Sequence, residues 1–263
     1  LDTLQNGVNK IFCYALGKKN TTVLIPKESY IQKLVTYTVP ENADLVRNAL
    51  FEVGAGTIGN YENCSFNSQG NFTFQGNDNS NPVIGERGKL HTGTEIKIEV
   101  IFEKHLQSKV LNALISSHIY EEVAYEIYNL ENSNQNIGLG MIGELETEMQ
   151  EKEFLLFVKE KMKADGIRYS EYLGKPIKKV AVLGGSGSFA IKKAIQAGAD
   201  AFLTADLKYH QFYEAENQLL LADIGHYESE RYTKNYIVDY LTKKILNFAI
   251  ILSEENTNPV KYL

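Results

Sequence analysis

The sequence predicts an α/β protein in which a core with parallel βαβ units is interrupted by a ferredoxin-like α+β insert. Two observations carry this prediction. Residues 152–252 alternate short apolar runs with segments of helical periodicity, as successive βαβ units do. Residues 33–130 instead follow an order of strand, helix, two or three strands, helix and strand, which is typical of a split βαβ arrangement. The expected domains are a core at residues 1–31 and 135–263 and an inserted domain at residues 32–134.

The amino-acid composition excludes several classes of protein. The 263 residues are 43% hydrophobic and 23% charged, which is ordinary for a globular chain and excludes disorder as the main state. No apolar run approaches about eighteen residues, so a membrane span is excluded. The net charge of −6 argues against a general nucleic-acid binder, because neutralising phosphates needs surplus Lys and Arg. Two cysteines exclude a disulfide framework and predict a reducing, cytoplasmic compartment.

The first part of the core is a helix followed by a strand. Apolar residues of the segment 8–16 recur at helical spacing, and Gly17 is a suitable stop. Residues 21–25 are β-branched or apolar and are closed by Pro26, which predicts a strand.

The insert alternates strands and helices in its own order. Strands are predicted where β-branched and aromatic residues cluster, and helices where apolar residues recur at helical spacing. The expected elements are a strand at 34–39, a helix at 40–53, short strands at 61–66 and 71–74, a strand at 94–102, a helix at 105–115 and a strand at 123–128.

A polar, glycine-rich segment at residues 132–150 predicts a domain boundary, with residues 138–143 as a joint. Beyond it, strands and helices alternate as in a parallel sheet. The expected helices lie at 152–162, 189–196, 209–217 and 226–245, and the expected strands at 180–183, 201–204, 219–222 and 248–252.

Ligands of such sheets bind beyond the carboxyl ends of the strands. This rule selects three segments, at residues 184–188, 204–210 and 223–230. In the first, Gly185 and Gly187 fit a dinucleotide-binding spacing, with Asp206 as a ribose-binding acid, although a tight turn between strand and helix explains the glycines equally.

The other two segments contain the acidic and imidazole groups. His226 and Glu230 are four residues apart and share one face of a helix, where they form either part of a divalent-metal site or a surface pair. Asp206 and His210 lie at the neighbouring strand end, where Asp206 is either a helix cap or, with His210, a wall of the same cleft that takes part in acid–base chemistry.

Seven segments in their order along the chain carry a resemblance to one family. They are residues 56–66, 81–85, 118–125, 138–143, 180–188, 204–210 and 223–230. The sequence thereby resembles the NIF-three-like family, whose members are called type 2 homologues of GTP cyclohydrolase I. Ile119 and Val123 depart from the family pattern, which has proline at both positions.

This resemblance implies an α/β metal-binding core with an inserted domain similar to the PII and CutA signalling proteins. It also implies two divalent ions of the zinc, iron or manganese type, held by a His-His pair near the N-terminus, an aspartate, and a His and a Glu four residues apart. His226 and Glu230 match the last two ligands. Asp2 matches the aspartate, because the Leu-Asp pair that contains it is followed by a Gly-Val-Asn segment. Asp206 and His210 then become the supporting catalytic groups.

The His-His pair has no counterpart in the sequence, so the expectation is a core without its first portion and an incomplete metal site that holds no metal pair. The resemblance further implies a homo-oligomer, a hexamer, that takes a small-molecule substrate or ligand.

Three functions stay open at this point. The first is a metal-dependent hydrolase that acts on a nucleotide-like or phosphate-containing small molecule. The second is a non-enzymatic regulatory or assembly protein with structural metals and a sensing insert. The third, which the resemblance weakens, is a dinucleotide-dependent enzyme that uses Gly185, Gly187 and Asp206.

Overall fold

The structure, a computed structural model, describes residues 1–4 and 6–263, and of Gln135 it describes the backbone alone. The strands are β1 (Lys19–Lys27), β2 (Ile31–Thr38), β3 (Phe66–Gln75), β4 (Leu90–Glu103), β5 (Tyr125–Asn129), β6 (Asn134–Met149), β7 (Arg168–Tyr169), β8 (Ile177–Ser186), β9 (Ala201–Ala205) and β10 (Leu220–Asp223). The helices are α1 (Val8–Ala15), α2 (Ala43–Glu52), α3 (Gln107–Ser117), α4 (Glu151–Met162), α5 (Ile191–Gln196), α6 (His226–Glu230) and α7 (Thr233–Lys244). In the described part of the chain, every helix is too short or too polar to cross a membrane.

The chain divides into two compact units. The first contains Leu1–Lys27 and Asn134–Leu263, and the second contains Glu28–Ser133. Each unit has its own sheet and its own buried apolar core.

The first unit is built on a six-stranded sheet in the order β1-β6-β8-β9-β10-β7. The pairs β8–β9 and β9–β10 are parallel, and α5 connects the first of them, which confirms the predicted parallel βαβ units. The remaining pairs are antiparallel, so the sheet is mixed, with three parallel strands near one edge. The carboxyl ends of these three strands therefore meet at one side of the sheet.

Apolar side chains cover both faces of this sheet. Strand β8 shows why, because its residues alternate between the faces. Val180 and Val182 join a cluster that includes residues of α1 and α4, whereas Ala181 and Leu183 join a second cluster that includes residues of α5. The central strands are consequently buried on both sides, as their continuous apolar sequence requires.

The second unit is a four-stranded antiparallel sheet in the order β3-β4-β2-β5. With α2 after its first strand and α3 after its third, this is the ferredoxin-like arrangement that the sequence predicts. Its buried core includes Leu34, Ile98 and Val100 from the sheet and Val46 and Leu114 from the two helices. Both helices therefore lie on one face, and the other face carries the polar residues of the alternating strands.

Several predicted elements are wrong. The short strand expected at 61–66 does not form, because only Phe66 of it is in a strand, as the first residue of β3. The strand expected at 71–74 forms and is part of β3. The glycine-rich segment 138–143 is not a joint but the middle of β6. Its glycines allow β1 to approach closely, because a Cβ on Gly143 would lie 2.9 Å from the carbonyl oxygen of Lys19.

The C-terminal elements also differ from the prediction. The helix expected at 226–245 is broken after Glu230 into α6 and α7, and the helix expected at 209–217 is a 3-10 segment, Tyr209–Ala215. The strand expected at 248–252 does not form, and Ile251 is 86% exposed. The short strand β7 already pairs with β10 at that edge, so the sheet offers no partner for this apolar run there.

Candidate metal centre

The ends of β9 and β10 bring together the first residues of the candidate site. Asp206 follows β9 directly and adopts a left-handed backbone conformation (φ 57°), which turns the chain sharply at the strand end. His226 begins α6 three residues after the end of β10, and the intervening Gly225 also has a positive φ of 92°. Both turns place polar side chains beyond the sheet, as expected for ligands at the carboxyl ends of parallel strands.

His226 lies between two carboxylates. Its Nδ1 is 2.7 Å from Oδ2 of Asp206, and its Nε2 is 3.6 Å from Oε1 of Glu230. A carboxylate can only accept, so Nδ1 carries the hydrogen and donates it to Asp206. This arrangement directs the unprotonated Nε2 of the neutral ring toward Glu230, which is the orientation that a metal-binding histidine needs.

The charges around His226 are mainly negative. The hydrogen bond that His226 donates to Asp206 raises the pKa of His226, partial burial opposes that rise, and the nearby charges of Glu230 and Asp2 add to it. Burial likewise raises the pKa of Glu230, His226 counteracts this effect, and the charges of Asp2 and Asp206 add to it. A site in which negative charges raise the pKa of both a histidine and a glutamate is short of positive charge, and a bound cation would supply it.

The β8 loop, the glycine-rich segment 184–188 that starts at the end of β8, closes this group from one side. The N–H of Gly184 donates to Oδ1 of Asn9 (2.9 Å), and the N–H of Gly185 donates to Oγ of Ser229 (2.9 Å). Both N–H groups therefore already donate to side chains and are not available to the phosphate groups of a ligand. This favours a tight turn between strand and helix over a dinucleotide-binding site. Gly185 itself has a φ of 70°, and a Cβ there would lie 2.9 Å from Oε1 of Glu230.

Asn9 and Ser229 are functional-site residues that sequence reasoning missed. Asn9 is buried, and its Nδ2 donates to the carbonyl oxygen of Asp2 (2.9 Å) while its Oδ1 holds the β8 loop. Ser229 is also buried, and its Oγ donates to the carbonyl oxygen of His226 (2.7 Å). The two side chains fix the backbone at Asp2 and His226 against the same loop. Their partners lie 175 and 44 positions away, so no local pattern marks them.

A further carboxylate near the site, that of Asp223, serves the fold, because all its observed partners are structural. Asp223 is buried and accepts hydrogen bonds from the N–H groups of Leu207 (2.9 Å) and Gly225 (3.1 Å). It also pairs with the guanidinium of Arg168. Asp223 therefore fixes both strand-end turns and leaves Asp206 and Glu230 as the more accessible acids.

A cleft of about 930 Å³ opens beside these groups within the first unit. Its lining combines the acidic and imidazole side chains with basic ones, namely Asp206, His226 and Glu230 with Arg168, Arg231 and Lys234. The side chain of Arg168 is 60% exposed, although its guanidinium pairs with Asp223. The cleft thus has the size of a small-molecule site and offers both signs of charge.

The predicted site residues do not all lie in the same place. His226 contacts both Asp206 and Glu230, and Asp2 is close enough to affect the pKa of His226 and of Glu230. His210 instead lies exposed in the 3-10 segment, where its ring packs edge-on against Tyr209. Within residues 1–4 and 6–263, no three His, Cys, Asp or Glu side chains are grouped closely enough to form a ready set of metal ligands.

Comparison with known proteins gives consistent results. The Duf34/NIF3 (NGG1p interacting factor 3) family matches residues 1–259. A "GTP cyclohydrolase 1 type 2 homolog" of Bacillus subtilis is 40% identical over 269 residues, which cover 100% of this chain and 72% of the relative. The homolog of Halalkalibacterium halodurans is 38% identical over 269 residues, with the same coverage.

Solved structures agree with this result. A Bacillus cereus protein related to NIF3 superposes with a TM-score of 0.80 at 36% identity, covering 100% of this chain and 71% of that one. A Staphylococcus aureus protein gives a TM-score of 0.72 at 25% identity, covering 100% and 70%. The chain therefore belongs to the Duf34/NIF3 family.

Proposed function

We propose that this protein binds divalent metal ions in the cleft of the first unit and uses them to hydrolyse a nucleotide-like or phosphate-containing small molecule. The observation that carries the proposal is the position of His226 between Asp206 and Glu230, with Asp2 nearby, beyond the ends of parallel strands. The relatives are named after a GTP cyclohydrolase, which supports a nucleotide-like substrate.

The nitrogen and oxygen atoms of the site are of the types that bind divalent metal ions. Imidazole nitrogen together with carboxylate oxygen suits zinc, iron and manganese. His226 and Glu230, with Asp2, would be the ligands, and further ligands would complete the coordination. Asp206 would act through His226, because its carboxylate holds the proton at Nδ1 and so keeps Nε2 available. When bound, such an ion lowers the pKa of a water molecule and polarises a phosphate oxygen.

Other residues of the cleft would position the metal ligands, balance the charge of the substrate or transfer protons. Asn9 and Ser229 hold the backbone at Asp2 and at His226 in place. Arg168 and its neighbouring basic residues in the cleft would offset the charge of a phosphate group. His210 stays a predicted proton-transfer group, and its exposed position at the same end of the sheet leaves it accessible to substrate.

The wider organisation is also part of the proposal. We infer that the second unit is a PII- or CutA-like insert and that the protein assembles as a homo-oligomer, a hexamer. The ferredoxin-like strand order of the second unit supports the first inference, and membership of the family supports the second.

Metal titration with zinc and manganese tests the metal site. We expect His226→Ala and Glu230→Gln each to weaken binding by at least about 10-fold to 100-fold, because a loss of that size is typical even of residues that only orient a metal ligand. His105→Ala removes an exposed imidazole from the second unit and serves as the matched control. Metal affinity unchanged in both cleft variants would contradict the proposal.

Hydrolysis is tested separately. The metal-loaded protein should release product from a panel of nucleotides and phosphate esters, Glu230→Gln should abolish turnover, and His210→Asn should reduce it. The alternative function is a non-enzymatic regulatory protein, which the separate cavity of the second unit favours. Turnover that is absent in the metal-loaded protein, together with ligand-dependent changes in oligomeric state, would support that alternative.

A further inference from the structure

The second unit contains a cavity of about 750 Å³ that is formed entirely by its own residues. One wall is the β3–β4 face of the sheet, and other walls come from residues between β3 and β4 and from residues 120–124. Its volume is within the range of small-molecule sites.

A buried carboxylate lies in the wall of this cavity. Glu95 on β4 is only 7% exposed, and its Oε1 accepts a hydrogen bond from the hydroxyl of Tyr120 (2.8 Å). Among the contacts of the described residues, its Oε2 has no hydrogen-bond donor. Burial and the neighbouring Glu95 raise the pKa of Tyr120, so this hydroxyl remains a donor. Among the described side chains, the fully buried polar atoms without a partner are Oε1 of Gln32 and Oγ1 of Thr233, so Oε2 of Glu95 is not sealed from solvent and a ligand in the cavity can reach it.

The rest of the wall gives this cavity a negative and partly aromatic character. Glu121 and Glu122 add two more carboxylates. The one basic group in the lining, Lys97, has its Nζ 2.5 Å from Oε1 of Glu99, which neutralises its charge. The rings of Phe72 and Phe74 lie nearly parallel, with centroids 6.0 Å apart, and are only half-buried.

We propose that this cavity binds a small molecule with a protonated amine on an aromatic or apolar body. The ammonium group would donate to the free oxygen of Glu95, forming a charge-assisted hydrogen bond in a partly water-excluded place. The body would pack against Phe72 and Phe74, whose ring faces also attract cations. The carboxylate of an acidic ligand would be repelled by Glu95 and its acidic neighbours. The proposal does not depend on the metal centre of the first unit.

Isothermal titration of the full chain with phenethylamine, and with phenylacetate as the matched anion, tests the proposal. We expect phenethylamine to bind and phenylacetate to bind at least about tenfold more weakly. Glu95→Gln should weaken amine binding at least about tenfold, because the amide keeps the shape and loses the charge. Glu52→Gln, an exposed acid of α2 outside the cavity, should leave binding unchanged.

Tyr120→Phe provides a second, independent test. It removes the donor to Oε1 of Glu95 and leaves the carboxylate in place, so amine binding should be retained or strengthened. Circular dichroism confirms that each variant is folded. The proposal is overturned if phenethylamine does not bind at millimolar concentration, if phenylacetate binds equally well, or if folded Glu95→Gln binds the amine normally. Amine binding that vanishes as protein concentration rises would place a second copy of the chain in the cavity, and would also overturn it.

Discussion

Asp223 and Glu230 lie seven residues apart beside the same cleft, yet their surroundings are opposite. Asp223 is buried and satisfied by two backbone N–H groups and a guanidinium. Glu230 is partly exposed, faces His226, and lies near the negative charges of Asp2 and Asp206. The comparison separates a carboxylate whose charge is balanced by its partners from one whose charge is not balanced. It also gives opposite expectations for removing the two charges.

Asp223→Ala should have the largest effect. The substitution leaves the N–H groups of Leu207 and Gly225 without their acceptor at a buried position. We expect the free energy of unfolding to fall by about 3 kcal/mol, measured by urea denaturation. Asp239→Ala, at an exposed position of α7, should change it by less than about 0.5 kcal/mol. Equal losses in the two variants would remove the distinction between a satisfied and an exposed carboxylate.

Lys18→Met extends the comparison to a buried cation. Lys18 is buried, its Nζ donates to the carbonyl oxygen of Val180 (3.0 Å), and burial lowers its pKa to about 8. In the unfolded chain the same group titrates near its ordinary value of 10.5. We expect the variant to be about 2 kcal/mol more stable at pH 7, because a buried charge without a carboxylate partner is costly.

The pH dependence of the stability difference between the two proteins tests whether the pKa of Lys18 is lowered on folding. Between about pH 8 and pH 10.5 the unfolded chain binds a proton that the folded chain does not, so the stability of the unsubstituted protein rises with pH relative to the variant. The advantage of Lys18→Met should therefore shrink across this window. A constant difference from pH 7 to pH 10.5 would contradict the assigned cause.

Asn9→Ala should have an intermediate effect. It removes the acceptor of the Gly184 N–H and the donor to the carbonyl oxygen of Asp2. We expect a loss of about 1.5 kcal/mol in the free energy of unfolding, together with faster amide hydrogen exchange at Gly184. Unchanged exchange at Gly184 would show that Asn9 does not hold the loop.

Glu230→Gln should have the smallest effect on stability, with a sign opposite to that of Asp223→Ala and Asn9→Ala. Because burial and neighbouring acids raise the pKa of Glu230, its charge destabilises the folded state at neutral pH. Without metal, we expect the variant to gain less than about 1 kcal/mol at pH 7, since solvent screens this partly exposed group. The gain should disappear as the pH falls below the ordinary range of a glutamate, where both states are protonated. A loss of stability would place Glu230 in the same class as Asp223.

Local patterns predicted the parts of the site that depend on spacing or on strand ends. The four-residue interval between His226 and Glu230 survives although α6 is only five residues long, because one helical turn is enough to align them. The rule that polar residues after parallel strands converge on one ligand site predicts Asp206 as a site residue. Asp223 was noticed as part of a segment, but its role depends on Arg168, which lies 55 positions away.

The misread elements have physical causes as well. Glycines in β6 resemble turn signals, yet they serve the close approach of a neighbouring strand, which depends on the sheet and not on the local sequence. The apolar run at residues 248–252 has strand composition, but a strand also needs a free edge, and β7 takes that edge. Periodicity therefore predicted the βαβ units well, whereas the choice of strand partners was decided by tertiary packing.

The pairing of β1 with β6 places Lys27 and Asn134 as Cα partners in neighbouring strands. The chain thus leaves the first unit and re-enters it at adjacent positions of one antiparallel ladder. An insertion at such a point reduces the stability of the first unit little. The entropic cost of closing a loop grows only slowly with the length of the loop once its ends are held together. Replacing residues 28–133 with a short hairpin turn should preserve the ladder, which makes the second unit a separable module in evolution and in engineering.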